Sequence, residues 1–377
     1  MRMLSLLLAL QLAVSAQNLP GVVGQNTTLA ANAGTNLYQL GLRYGLAIEH
    51  FAFANRLPVQ LTLGGSRELL IPQQRVLPIN PPQQGLVVNL PERGVFLFRD
   101  GQFEKFYPVA IGQPGRFATP TGQFQLVSRV KDPTWMPPEW AGLGEDTVVP
   151  AGPDNPLGDR WMGLSSPGLG LHSTTQPASI GSAASHGCMR MYPDMARDLF
   201  DRLQVGVPVR IEYEPVKLGR DPESGGLYLV VFPDVYGRVP LLQRAQELLA
   251  RAGLSDWISE EQLRRWVSQS EGVPKLLADG AVGLLVSGSN VAEPGLVLKS
   301  ERGCWISSEA LRRMGASVQY DSAQKSVSLQ YREASCVVPA QEGVNVDGRL
   351  FFPARNLLEA LGVSFRWDGP GKALTID

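Results

Sequence analysis

Sliding the last hundred residues of this 377-residue chain against themselves by 47 positions lays Trp305-Ile306 over Phe352-Pro353 and Leu311 over Leu358. The same offset puts Met314-Gly315 over Leu361-Gly362, Tyr320-Asp321 over Trp367-Asp368 and Lys325 over Lys372. A repeat of this length restricts its region to a duplicated supersecondary unit, because each copy must bury its apolar face against the other. Each copy reads strand, helix, glycine turn and strand hairpin, which predicts an α+β duplicated domain over 281–377. At about 150 residues per domain, the whole chain should hold two or three modules. Forty glycines and 29 prolines supply turns and linkers, and 44% hydrophobic with 18% charged residues marks a globular chain. The 34 basic and 35 acidic groups nearly cancel, which leaves no electrostatic footprint for nucleic acid.

The N-terminus reads as a targeting segment. Arg2 is followed by an apolar run from Leu4 to Val14, and Val14-Ser15-Ala16 carries the small residues a signal peptidase accepts. Residues 1–16 are therefore expected to be a cleaved export signal, leaving 33 basic and 35 acidic residues. The run is too short to span a bilayer, and no later run approaches the ~20 residues required, so no transmembrane segment is expected. No cysteine follows the cleavage point to take a lipid. The expected location is outside the cytoplasmic membrane, in the periplasm or cell wall.

An exported chain with three cysteines leaves one unpaired. Cys304 and Cys336 share one region and strand-like apolar surroundings, and they are expected to form a disulfide, the alternative being two buried thiols. Cys188 then stands alone in Ser185-His186-Gly187-Cys188-Met189-Arg190, sixteen positions after His172. A thiol is only a few per cent thiolate at neutral pH, so a nucleophilic cysteine needs an imidazole or a positive environment. Two of the three histidines are nearby. Pro193 should start a helix carrying Met195, Leu199, Phe200 and Leu203 on one face, which would put Cys188 just ahead of a helix N-terminus that favours thiolate. Gly187 permits close substrate approach, and the backbone N–H groups of Gly187 and Cys188 could hold an oxyanion. The competing readings are a buried thiol beside a structural histidine, or a zinc site, for which no second cysteine or carboxylate lies at short ligand spacing.

His172, Ser-His-Gly-Cys ending at Cys188, and Arg190 together resemble the signature of the L,D-transpeptidase catalytic domain of bacterial cell-wall enzymes. The resemblance extends to a hairpin over Gly94–Gly101 with an Asp-Gly turn, to Thr119-Pro120-Thr121-Gly122-Gln123-Phe124, and to Asp154-Asn155-Pro156-Leu157-Gly158 with Arg160-Trp161. It covers residues 85–214. Ser173, where glycine is common, and Met189, where a β-branched residue is common, depart from the pattern without removing a reacting group. The resemblance implies a cysteine acyltransferase that needs no cofactor and no metal. Cys188 would attack the carbonyl between a diamino acid and D-alanine in a peptidoglycan stem, with His172 as base, and a second stem's amine would resolve the thioester. Ser185 and His186 would shape the loop, Ser173 would orient His172 through its backbone carbonyl, and Arg190 would hold the loop or meet a stem carboxylate, the alternative being a structural salt bridge. Trp161 is counted with the substrate-binding residues. Water as acceptor would instead make an L,D-carboxypeptidase, and decay would leave an inactive peptidoglycan-binding envelope protein.

The proline- and glycine-rich stretch from Lys131 to Trp161, with Trp135 and Trp140, reads as a lid, a binding loop or a self-packed Ω-loop. Residues 28–72, through Gly34-Thr35-Asn36-Leu37-Tyr38, Asn55 and Leu69-Leu70-Ile71-Pro72, resemble the lysin motif, a βααβ module that binds N-acetylglucosamine-containing glycan. His50 there is expected to be a solvated surface residue. Residues 73–84 read as a semi-rigid linker, and 215–280 as an unassigned linker or α+β segment. The C-terminal repeat resembles the duplicated domain at the N-terminus of copper amine oxidases, though without histidine it should hold no copper. The expected fold class is multidomain: a lysin motif, a mainly-β catalytic domain and the α+β repeat.

Overall fold

A computed structural model describes residues 19–138, 142, 147–370 and 372–377. The expected export signal and Trp140 lie outside the described residues. Among those described, no helix is long and apolar enough to cross a membrane. The molecule is a mainly-β, multi-sheet structure.

The central unit is built from β1 (Gln84–Asn89), β2 (Gly94–Arg99), β3 (Gln102–Gly112), β4 (Gly122–Lys131), β5 (Arg160–Leu164), β6 (Gly170–His172), β7 (Ala183–Ser185), β8 (Met189–Met191), helix α1 (Pro193–Arg202) and β9 (Pro208–Glu212). Asp100 and Gly101 both take positive φ, 52° and 73°, the geometry of a two-residue hairpin turn between β2 and β3. Strand alternation sorts the side chains of β1 and β2 into two layers. Leu86, Val88, Val95 and Leu97 enter the main core with Tyr107, Val109, Met162, Leu171 and Met189. Val87, Phe96 and Phe98 point the other way, onto Phe106, Phe103 and Leu77. The strands run β7-β3-β8-β6-β5-β4-β9-β1-β2, and β3 also pairs with β2, so the ladder closes on itself. Closure removes most edges and places the parallel pair β6 and β8 side by side. Helix α1, opened by Pro193, buries Ala196, Leu199 and Phe200 on this unit.

Ahead of it, strands Thr27–Ala31 and Arg67–Ile71 pair antiparallel around helices Leu37–Tyr44 and Ile48–Ala54. Leu37, Leu46, Ile48, Phe51, Leu69 and Ile71 form their shared core. This module is docked rather than tethered. Ala47, Tyr38 and Leu42 pack with Ala110, Ile180 and Tyr192 of the central unit, and the Tyr38 and Tyr192 rings meet edge-on at 5.5 Å. His50 is consequently half-buried at this junction rather than a solvated surface residue. Its Nδ1 accepts from the Ala47 N–H at 3.2 Å and its Nε2 pairs with the Glu92 carbonyl at 3.0 Å, across the junction. Burial, reinforced by Arg75, pushes its pKa down to about 3, so the ring is neutral.

The run 73–84 is likewise no free spacer. Arg75–Val76 pairs with Val22–Val23, and the buried Arg75 guanidinium lies 3.4 Å over the Phe106 ring and 3.5 Å from Glu92. Arg210 donates to the carbonyls of Ile79 and Asn80.

Beyond β9, a seven-stranded sheet joins Val216–Arg220, Leu227–Val231 and Lys275–Asp279 to Val297–Ser300, Gly303–Ser307, Arg349–Pro353 and Val344–Val346. A boundary at residue 280 therefore falls inside one sheet, and residues 215–280 are structurally part of the C-terminal unit. Trp257 from the first part of that unit stacks on Trp305 from the second, centroids 4.5 Å apart. Helices Ser308–Arg313 and Ala354–Ala360 follow matching strands, and each is followed by a two-stranded hairpin. Cys304 and Cys336 are both free thiols, not a disulfide. Cys304 lies opposite Lys299 in the seven-stranded sheet, whereas Cys336 lies opposite Leu329 in a separate three-stranded one.

Candidate active site

The parallel register Leu171 to Met189 and His172 to Arg190 brings the two chemical motifs together. Sixteen residues of sequence fold back so that Cys188, one residue before β8, sits level with Gly170 at the start of β6. The sulfur lies 3.0 Å from the Gly168 carbonyl, to which the thiol donates. His172 is 5% exposed, and its Nδ1 lies 2.6 Å from the Ser173 carbonyl. A carbonyl only accepts, so Nδ1 carries the proton and Nε2 keeps the lone pair a base needs. Trp161, opposite His172 on β5, places its ring 5.9 Å from the imidazole.

Electrostatics here differ from the sequence expectation. Helix α1 starts only after the three residues of β8, so Cys188 is not at a helix N-terminus and gains little from its dipole. Burial pushes the thiol up to about 11, against the pull of a Gly170 backbone hydrogen bond and Arg190. Burial also brings His172 down to about 4, with Arg190 acting in the same direction and the Ser173 and Leu157 carbonyls opposing. The resting pair is a neutral thiol and a neutral imidazole.

The loop is held by short-range bonds. Ser185, 1% exposed, donates through Oγ to the Cys188 carbonyl at 2.5 Å and accepts from the Gly187 N–H at 3.2 Å. That commits the Gly187 amide to Ser185, and of the two amides named from sequence it leaves the Cys188 N–H as the candidate oxyanion donor. Gly187 takes φ +117°, which side-chain-bearing residues rarely adopt. His186 is exposed and its ring meets Phe117 at 4.4 Å. Arg190 bonds Gln176 Oε1 at 3.3 Å, and no carboxylate among the described residues pairs with it.

Ser173 has a second connection. Its hydroxyl donates to Asp159 Oδ1 at 2.8 Å and accepts from the Asp159 N–H at 2.7 Å. Burial raises the Asp159 carboxyl, but hydrogen bonds from Arg197 and Ser173 outweigh it and hold the group below its usual range. The carbonyl that orients His172 is thus anchored through its own side chain. Across the long loop, Trp135 and Val149 exchange backbone bonds at 2.9 Å, and fully buried Asn155 donates to the carbonyls of Pro133, Val149 and Pro150.

Three supporting residues escaped the sequence reading: Gln176, Thr119 and Tyr236. Thr119 stands in the quoted Thr-Pro-Thr-Gly string, but its partner Gly187 is 68 positions away. No groups of three or more potential metal-ligating side chains occur among the described residues.

Residues 83–211 match the model of the YkuD family, the L,D-transpeptidase catalytic domain. A probable L,D-transpeptidase, ErfK/SrfK of Salmonella typhimurium, is 35% identical over 219 residues, covering 54% of this chain and 68% of that protein. YbiS of Escherichia coli, also a probable L,D-transpeptidase, is 33% identical over 225 residues, covering 56% and 71%. The putative L,D-transpeptidase YqjB of Bacillus subtilis is 31% identical, covering 35% and 72%. With a matching catalytic-domain model and relatives of this closeness, the chain belongs to the L,D-transpeptidase family.

Proposed function

We propose that this L,D-transpeptidase cross-links peptidoglycan stems through Cys188. The observation that carries this reading is His172, oriented by a backbone carbonyl, on the strand paired with the one that follows the cysteine. As Cys188 attacks the carbonyl before the terminal D-alanine of a tetrapeptide stem, its proton moves to His172 Nε2. The S–C bond forms, the C–N bond breaks, and His172 returns the proton to the departing amine. The Cys188 N–H faces the developing oxyanion. The side-chain amine of a second stem then displaces the sulfur, giving an amide bond between two diamino acids and restoring the thiol. Arg190, without a carboxylate partner among the described residues, is suited to the carboxylate of a stem peptide.

The flanking modules fit a role in holding the enzyme on its substrate. The N-terminal strand–helix–helix–strand unit is read as a lysin motif that contacts glycan, and the C-terminal duplicated unit as a binding or spacer domain. Action on cell wall places the protein outside the cytoplasmic membrane, in keeping with an export signal over residues 1–16. Incubating the purified chain with disaccharide tetrapeptide and analysing products by mass spectrometry tests the reading. Dimer with loss of D-alanine is expected. Tripeptide alone would make the enzyme a carboxypeptidase, and no product from a folded chain would contradict both.

A further inference from the structure

The segment after the family-matched residues reaches back to the catalytic loop through one phenol. Tyr236 donates its hydroxyl proton to the Gly112 carbonyl at 2.9 Å and accepts from the Thr119 N–H at 3.1 Å. Thr119, fully buried, accepts through Oγ1 from the Gly112 N–H at 2.8 Å and donates to the Gly187 carbonyl at 2.8 Å. Tyr236 and Thr119 thus each bridge to Gly112, and the chain of bonds ends on the peptide that joins Gly187 to Cys188. That peptide is planar, with its carbonyl and its N–H pointing in opposite directions. A bond that fixes the Gly187 oxygen therefore fixes where the Cys188 N–H points.

The phenol is itself held. Tyr236 stacks on Tyr213 at 5.5 Å and 19°, its own N–H donates to the Tyr213 hydroxyl at 2.8 Å, and Tyr213 donates to Asp234. Asp234 also accepts from the backbone of Arg238 and Val239, closing the turn that carries Tyr236. Gly112 permits the approach, since a Cβ there would sit 2.0 Å from the Phe117 carbonyl oxygen. Tyr236 lies outside residues 83–211, so this brace is supplied by the chain beyond the matched catalytic segment.

We propose that Tyr236 is a positioning residue which, through Thr119, aims the Cys188 N–H at the oxyanion formed during acyl transfer. The proposal rests on the transpeptidase reading above. Its test uses two reactions of the same sulfur in the full chain. Acylation by a carbapenem develops an oxyanion, whereas alkylation by iodoacetamide does not. Removing an oxyanion donor outright costs about 10²–10³ in rate, so misdirecting one in Tyr236→Phe should slow acylation about tenfold. Alkylation should stay within twofold of wild type, and with tetrapeptide kcat should fall while KM holds. Thr119→Val should reproduce the pattern and Thr119→Ser, which keeps the hydroxyl, should restore acylation. Wild-type chain that fails to acylate overturns this proposal together with the transpeptidase reading. Wild-type acylation with an unchanged Tyr236→Phe rate, or acylation and alkylation slowed together, overturns the positioning role alone.

Discussion

At the residue scale, the site stores its reactivity as a neutral pair. His172 must be unprotonated to accept the thiol proton, and its pKa is brought down to about 4 by burial. Lowering pH through that value protonates the base and stops acylation, while above it the base is competent. The rate of carbapenem acylation should therefore stay level from about pH 5 to neutral and fall by half only near pH 4. A half-maximal point between pH 6 and 7 would instead indicate an ordinary imidazole. Replacing His172 with alanine should slow acylation by about 10²–10⁴. The hydroxyl and the carbonyl of Ser173 can be separated as well. Ser173→Ala keeps the carbonyl on His172 but loses the Asp159 bonds, so it should cost about 1 kcal/mol of stability in denaturant unfolding with acylation within threefold. His172 and Cys188 could be singled out in sequence as candidates because His172 and Ser-His-Gly-Cys stand in two short strings. Their ionisation could not be read there, because it depends on burial and on the strand that β8 inserts ahead of the helix.

At the scale of elements, the hairpin of β2 and β3 could be read directly, since Asp-Gly supplies the two positive φ angles a tight turn requires. The long excursion between β4 and β5 could be seen only as irregular. In the structure its neck is closed by Asn155, whose amide serves three carbonyls from inside a fully buried position. Asn155→Ala leaves those carbonyls without their donor and should destabilise the protein by about 1–3 kcal/mol, measured by denaturant unfolding. Limited proteolysis should show new cleavage within 131–161, and an unchanged cleavage pattern would argue against this role. The strands Val216–Arg220 and Leu227–Val231 pair with each other, but the rest of their sheet comes from residues 275–353, and such distant pairings leave no local periodicity.

At the scale of the whole molecule, three regions meet on one buried carboxylate. Glu92, 1% exposed in the turn between β1 and β2, lies 2.5 Å from Lys217 Nζ of the C-terminal sheet and 3.5 Å from Arg75 of the run 73–84. Asn89 donates to it at 3.3 Å, and the adjacent backbone carbonyl takes the bond from His50 of the N-terminal module. Removing one member of a buried ion cluster strands the others, so Glu92→Ala should cost about 3–5 kcal/mol and shift the unfolding midpoint accordingly. A change under 1 kcal/mol would show that the junction does not depend on this charge. None of this was visible in sequence, where the number and order of modules could be estimated from length, repeat and motif but not how they dock. His50 and the run 73–84 were read as solvated and as a spacer because their contacts form only at the assembled junction.

Cys188 as the nucleophile underlies every step, and intact-mass spectrometry of the chain with a carbapenem is its sharpest test. Wild type should gain one adduct that peptide mapping places on Cys188, and folded Cys188→Ala should gain none. An adduct on the variant, or no adduct on folded wild type, would contradict the assignment.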